Sequence, residues 1–102
     1  MHILVVLDHP NPNSFSAAIA AEFVRGASDA GHTTELADLN VEGFDPRWSM
    51  ADIEADETGT LPPDVQTEQA RIERADALCF VFPLFWWGMP ATMKGWVDRV
   101  WS

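Results

Sequence analysis

The sequence predicts an α/β protein, a parallel sheet with helices on both faces. Three observations carry that expectation. Strand-like and helix-like segments alternate three times along the 102 residues, the pattern of crossover-connected parallel strands. Two segments, HILVVLD at 2–8 and ALCFVF at 77–82, are almost wholly apolar, as strands covered on both faces must be. The segments between and after them carry helix-start and helix-stop residues at suitable spacing.

The first strand, 2–8, runs into HPNPNS at 9–14, whose two prolines and two asparagines read as a loop. Ser14 is placed to cap a helix. In that helix Phe15, Ile19 and Phe23 lie four apart, with Ala18 and Val24 beside them, and form its expected core face. Gly31 stops it. HTTELADL at 32–39 is a second, weaker strand suited to a sheet edge. From Asn40 to Thr60 the chain is acidic and irregular, with Trp48 and Met50 expected to anchor a short turn or helix. Pro62 and Pro63 suit the first turn of the next helix, and Asp64 favours its positive end. Val65, Gln69, Ile72 and Ala75 share one face of it. After the third strand, PLFWWGMP at 83–90 is a loop. Pro90 then opens a last helix, in which Met93, Trp96, Val97, Val100 and Trp101 fall on the helical repeat.

Composition narrows the function classes. The chain suits one small domain, and no run of apolar residues is long enough to span a membrane. The net charge of −10 makes nucleic acid and anionic lipid poor partners. The charge is lopsided: between Glu35 and Asp76 twelve acids face three bases, Arg47, Arg71 and Arg74. A bound anion must therefore be held mainly by neutral donors. His2, His9 and His32 lack metal-ligand spacing. Cys79, the one cysteine, reads as a buried and inert thiol. Ser14 has no base near it in sequence, which argues against a serine hydrolase. With no secretory signal at the N-terminus, a cytoplasmic setting is expected.

Two segments can carry chemistry. In an open parallel sheet ligands bind beyond the carboxyl ends of the strands, and a helix N-terminus there favours a phosphate. The 9–16 segment, HPNPNSFS, brings hydroxyl and amide residues to such a place. It has no glycine and no lysine, so the usual dinucleotide and triphosphate loops are excluded at this position. The same segment could be a plain helix cap. The second place is 82–90, FPLFWWGMP, whose aromatic cluster could flank a flat ring or belong to a core or an interface.

Together HPNPNSFS, DLNVEGFDP at 38–46 and FPLFWWGMPATMKGWVDRVW at 82–101 resemble the NAD(P)H:quinone oxidoreductase family, that is, DT-diaphorase and its bacterial relatives. The resemblance covers nearly the whole chain. It implies a flavodoxin-like fold, of which residues 1–102 would be the N-terminal part of a single domain, with three strands of an incomplete sheet. It implies FAD, or FMN as in some branches, with NAD(P)H as co-substrate, a quinone as acceptor and a homodimer. His9, Ser14, Phe15 and Ser16 would lie at the flavin phosphates. Pro83, Leu84, Phe85, Trp86 and Trp87 would run along the isoalloxazine, with Trp86 and Trp87 walling the cavity that nicotinamide and quinone share. Phe85 stands where relatives often carry a polar residue. The family's second flavin loop, and the tyrosine and histidine that assist hydride transfer, have no counterpart in these 102 residues, so no catalytic residue is assigned. The chain alone is expected to fall short of a competent reductase. A flavodoxin-like module that binds a partner without catalysis, such as a regulatory subunit of a potassium-efflux system, is the alternative.

Overall fold

The computed structural model describes residues 1–101. Three parallel strands, β1 (His2–Leu7), β2 (Thr33–Asp38) and β3 (Ala77–Val81), form one sheet in the order β2-β1-β3. Around it lie α1 (Phe15–Asp29), α2 (Met50–Thr58), α3 (Pro63–Arg74) and α4 (Ala91–Val100). β1 is central. Leu7 is paired with Asp38 on one side and Val81 on the other, so all three strands end at the same rim. Its side chains alternate between two cores, and both are helix-covered, as the unbroken apolar run requires. Leu4 and Val6 pack with Met93, Trp96 and Val100 of α4 and with Ile72 of α3. Ile3, Val5 and Leu7 pack with Ala20 and Ala27 of α1. Both β2 and β3 are edge strands, as expected of β2 from its mixed composition.

Two expectations need correction. Helix α1 does not turn Phe15, Ile19 and Phe23 to the sheet. It buries Ser16, Ala20 and Ala27, with Ala17 and Val24 beside them, and leaves Phe15 81 % exposed. Small side chains let the helix lie close on the strands, which outweighs the larger residues of the neighbouring stripe. Similarly, Trp48 and Met50 do not anchor the acidic segment, since both are exposed. That segment holds a helix, α2, secured by Ala55 and Asp52, both buried. Asp52 Oδ2 accepts from the Ser49 N–H at 2.8 Å and from its hydroxyl at 3.1 Å, an Asp version of the capping box. Gly59, at φ 76°, ends the helix in the left-handed region.

The acidic half is held by two arginines. Arg99 of α4, 7 % exposed, donates from Nε to Asp52 Oδ1 at 3.0 Å. Its Nη1 reaches Asp64 Oδ2 at 2.6 Å and the Asp45 carbonyl at 2.7 Å, and its guanidinium lies 5.5 Å from the Phe44 ring centroid. One side chain thus ties α2, α3 and the segment after β2 to α4. Arg71 bridges Glu35, Glu42 and Glu68, and Glu68 also accepts from the Trp96 indole N–H at 3.0 Å. Contact between α4 and the segment after β2 also depends on Gly95. A Cβ there would come within 2.3 Å of the Pro46 carbonyl oxygen and 2.5 Å of its Cα, so no larger residue fits without a shift of backbone.

Arg99→Met should destabilise the protein by about 3–5 kcal/mol, because it leaves the Asp52 carboxylate buried and uncompensated; urea unfolding measures this. A second outcome concerns pH. Burial pushes the Asp52 carboxyl up, but the bonds from Ser49 and Arg99 outweigh it, and the net shift is downward. A carboxyl lowered by folding stabilises fully above its unfolded value, about 4, and loses that contribution as pH falls through the lower folded value. Stability should therefore be flat near neutrality and fall on acidification below about pH 4, with a smaller acid-dependent loss in Asp52→Asn.

Candidate functional site

The loops that leave β1 and β3 rise from adjacent strands at the same end of the sheet. Between β1 and α1, the chain is shaped by its own polar groups. Asn13 N–H donates to Asn11 Oδ1 at 2.9 Å, and Ser14 N–H donates to the Asn11 carbonyl at 3.1 Å, an Asx-type turn. Ser14 is the N-cap, with its hydroxyl oxygen accepting from Ala17 N–H at 3.0 Å. This bond satisfies one of the first-turn donors. The N–H groups of Phe15 and Ser16 precede any possible intrahelical acceptor, and among the described residues neither meets another one. Two backbone donors and the positive end of a 15-residue helix therefore face the same rim.

His9 is half-buried at the start of this loop. Its Nδ1 lies 3.0 Å from the Asn11 N–H. A backbone N–H can only donate, so Nδ1 accepts, and the neutral ring carries its proton on Nε2. His9 is thus a further donor. Of the residues expected here, Ser14, Phe15 and Ser16 start the helix together. Ser16 is buried towards the sheet, while Phe15 projects outward, so their side chains point different ways and only their backbone groups are shared.

After β3 the chain forms a tight hairpin. Phe85 N–H donates to the Gly88 carbonyl at 3.1 Å, and Gly88 N–H donates to the Phe85 carbonyl at 2.9 Å. The two residues between them are Trp86 at φ 49° and Trp87 at φ 60°. Positive φ at both central positions is the type I′ pattern, which normally selects Asn-Gly. Two tryptophans there store backbone strain. They also gain nothing from burial, being 91 % and 85 % exposed. Their rings lie 6.2 Å apart at 59°. Leu84 and Phe85 are exposed beside them, and Pro83 is half-buried. Strain combined with large exposed apolar surface is costly to a folded chain unless a partner uses it.

Sequence reasoning missed the group that joins these loops. Asp8, 3 % exposed, closes β1. Its Oδ2 accepts from the Met93 N–H at 2.9 Å, in the first turn of α4, and its Oδ1 accepts from the Asn40 side chain. The available signal was a single acid ending an otherwise apolar run. Cys79 is half-buried on the edge strand and not fully buried as expected, and burial pushes its thiol up. Among the described residues no group of three or more His, Cys, Asp or Glu side chains is arranged to hold a metal ion.

A three-stranded parallel sheet with helices on both faces, and with donors and exposed aromatic groups at its carboxyl rim, defines a class: open-sheet α/β proteins. The chain belongs to the flavodoxin-like fold family, whose model matches residues 1–102. The chain is 42 % identical to the NAD(P)H:quinone oxidoreductase from Methanothermobacter marburgensis, with a TM-score of 0.92 over 100 % of this chain and 54 % of that one. An uncharacterised NAD(P)H oxidoreductase of Haemophilus influenzae is 36 % identical over 100 % of this chain and 51 % of its own length. NAD(P)H dehydrogenase [quinone] 1 of Cavia porcellus is 34 % identical over 97 % and 42 % respectively. The chain thus spans about half the length of the relatives it matches.

If the hairpin is strained for a ligand's sake, the double change Trp86→Asn with Trp87→Gly should raise stability by about 1–3 kcal/mol. It removes two unfavourable φ angles and no buried surface. Chemical denaturation of the two forms measures the difference, and a less stable variant would show that the indoles hold the fold.

Proposed function

We propose that this protein is the flavin-holding part of a flavin-dependent NAD(P)H:quinone oxidoreductase, acting by two-electron hydride transfer. The observation that carries the reading is the pairing, at one end of adjacent strands, of unpartnered N–H donors at the start of α1 with the exposed indoles of the Phe85–Gly88 hairpin. The similarity to quinone oxidoreductases over the whole chain supports it.

The residues present fit a flavin. Its phosphate would be held at the start of α1 by the N–H groups of Phe15 and Ser16, by Ser14 and by His9 Nε2–H. These are neutral donors, as the scarcity of basic side chains demands. The positive end of α1 adds attraction for the phosphate charge. Pro83, Leu84, Phe85, Trp86 and Trp87 would lie along the ring, with the rigid hairpin presenting backbone groups and the indoles screening it from water. FAD is the cofactor we assign, with FMN as the alternative. Flavin, when bound, would supply the redox chemistry between NAD(P)H and a quinone. Trp86 and Trp87 would line the place where these two substrates take turns.

The reading includes a homodimer in the cytoplasm. Exposed apolar residues on α1, namely Phe15, Ile19 and Phe23, support association, and a lone cysteine supports a reducing compartment.

The experiment is a titration with FAD and FMN, followed by flavin absorbance and by quenching of indole fluorescence. Asp caps helices about as well as Ser, so Ser14→Asp should leave the fold intact and repel the phosphate. Flavin affinity is expected to fall by at least about tenfold, the weight of one charge-assisted contact, with the far-UV spectrum unchanged. Unchanged affinity in a folded Ser14→Asp protein would remove the phosphate assignment.

A further inference from the structure

Chain segments from all three strand ends at the carboxyl rim meet at one residue, Asp8. Asp8 ends β1 and leads directly into the 9–14 loop. Its own N–H donates to the Val81 carbonyl at the end of β3, at 3.2 Å. Its Oδ1 accepts from Asn40, in the loop after β2. Its Oδ2 accepts from Met93 N–H at 2.9 Å, where α4 begins just past the tryptophan hairpin. Asp8 is 3 % exposed, and among the described residues it forms no ion pair. A buried carboxylate compensated only by a helix start and neutral donors is held in place by geometry, and it holds its partners likewise.

We propose that Asp8 is a positioning residue, which fixes the aromatic hairpin and the loop after β2 against the phosphate-side loop. It touches no ligand. It acts through Met93 N–H, which sets where α4 starts and hence where residues 82–90 end, and through Asn40. The inference rests on the flavin reading for its consequence, since the spacing that Asp8 sets is the spacing between ring and phosphate contacts. The arrangement itself is read without flavin.

Two measurements separate these parts. The first is amide hydrogen exchange of the ligand-free protein. Asp8→Ala should speed exchange at residues 9–14, 40–44 and 84–93, and leave Leu4–Val6 at the centre of β1 unchanged. A uniform rise that includes β1 would mean general destabilisation and overturn the proposal. The second is FMN affinity. Asp8→Ala should weaken it about tenfold or more, because misplaced contacts are costly far from their cause. Asp8→Asn keeps an acceptor for Met93 and can donate to the Asn40 amide oxygen once that amide turns over, so it should stay within about threefold of the parent. If Asp8→Asn falls as far as Asp8→Ala, charge and not placement is at work, and the proposal fails. Asn40→Ala alters an exposed partner and leaves the Met93 bond, so it folds even where Asp8→Ala does not. It should raise exchange at 9–14 and weaken FMN about threefold, one hydrogen bond's share; parent-like behaviour would overturn the proposal. If the unaltered protein binds no FMN or FAD, the flavin reading fails, and the exchange pattern alone decides for or against Asp8.

Discussion

The structure depends on the burial of β1. From Ile3 to Leu7 the strand offers no polar side chain to water, so both of its faces must be covered, while a strand on each side takes up its backbone groups. Coverage of β1 places α1 on one face and α3 and α4 on the other, and in the order β2-β1-β3 three strand ends reach one rim. Every candidate ligand contact lies in the loops at that rim or in the first turn of α1. Coverage of the two faces is unequal. One face receives α3 and α4 with the large Trp96 and Met93. The other receives only α1, whose alanines sit close to the sheet while its larger apolar residues remain outside.

The excess of negative charge is organised around cations rather than dispersed. Arg99 and Arg71 each gather several carboxylates, and both networks reach α4, the first through Arg99 itself and the second through Glu68 and Trp96. Burying such clusters costs desolvation, and they are weak contributors to net stability. They do restrict where the acidic segment can lie. With Gly95 admitting the backbone at Pro46, they place the chain after β2 firmly against α4, which in turn fixes the end of the tryptophan hairpin.

The rim combines opposite physical demands. The 9–14 loop is relaxed: Asx-type bonds and a Ser cap satisfy it locally, and the donors left over are those every helix start leaves. The hairpin is strained and exposed, with tryptophans in positions suited to Asn and Gly. In a chain so negative, dipoles and neutral donors would be the means of attracting an anion, since the few basic side chains, Arg71 and Arg99 among them, hold the acidic half together.

The sequence alone was enough for the alternation of strands and helices and for the parallel sheet, because unbroken apolar runs and alternating periodicities leave few alternatives. Ser14 as a cap, Gly31 as a stop and the two rim loops were equally legible, since local hydrogen bonding and glycine's conformational freedom act over a few residues. Ser49 and Asp52 could have announced α2, but their spacing was hidden in an acidic stretch. Tertiary structure decided the rest. Which stripe of α1 faces the sheet depends on how closely a helix can approach the strands, a property of the pair. The left-handed turn of Trp86 and Trp87 contradicts their own preference, so the surrounding backbone imposes it. Asp8 meets Met93 across 85 positions and Arg99 meets Asp52 across 47. Contacts so distant along the chain exist only once the sheet has brought its ends together.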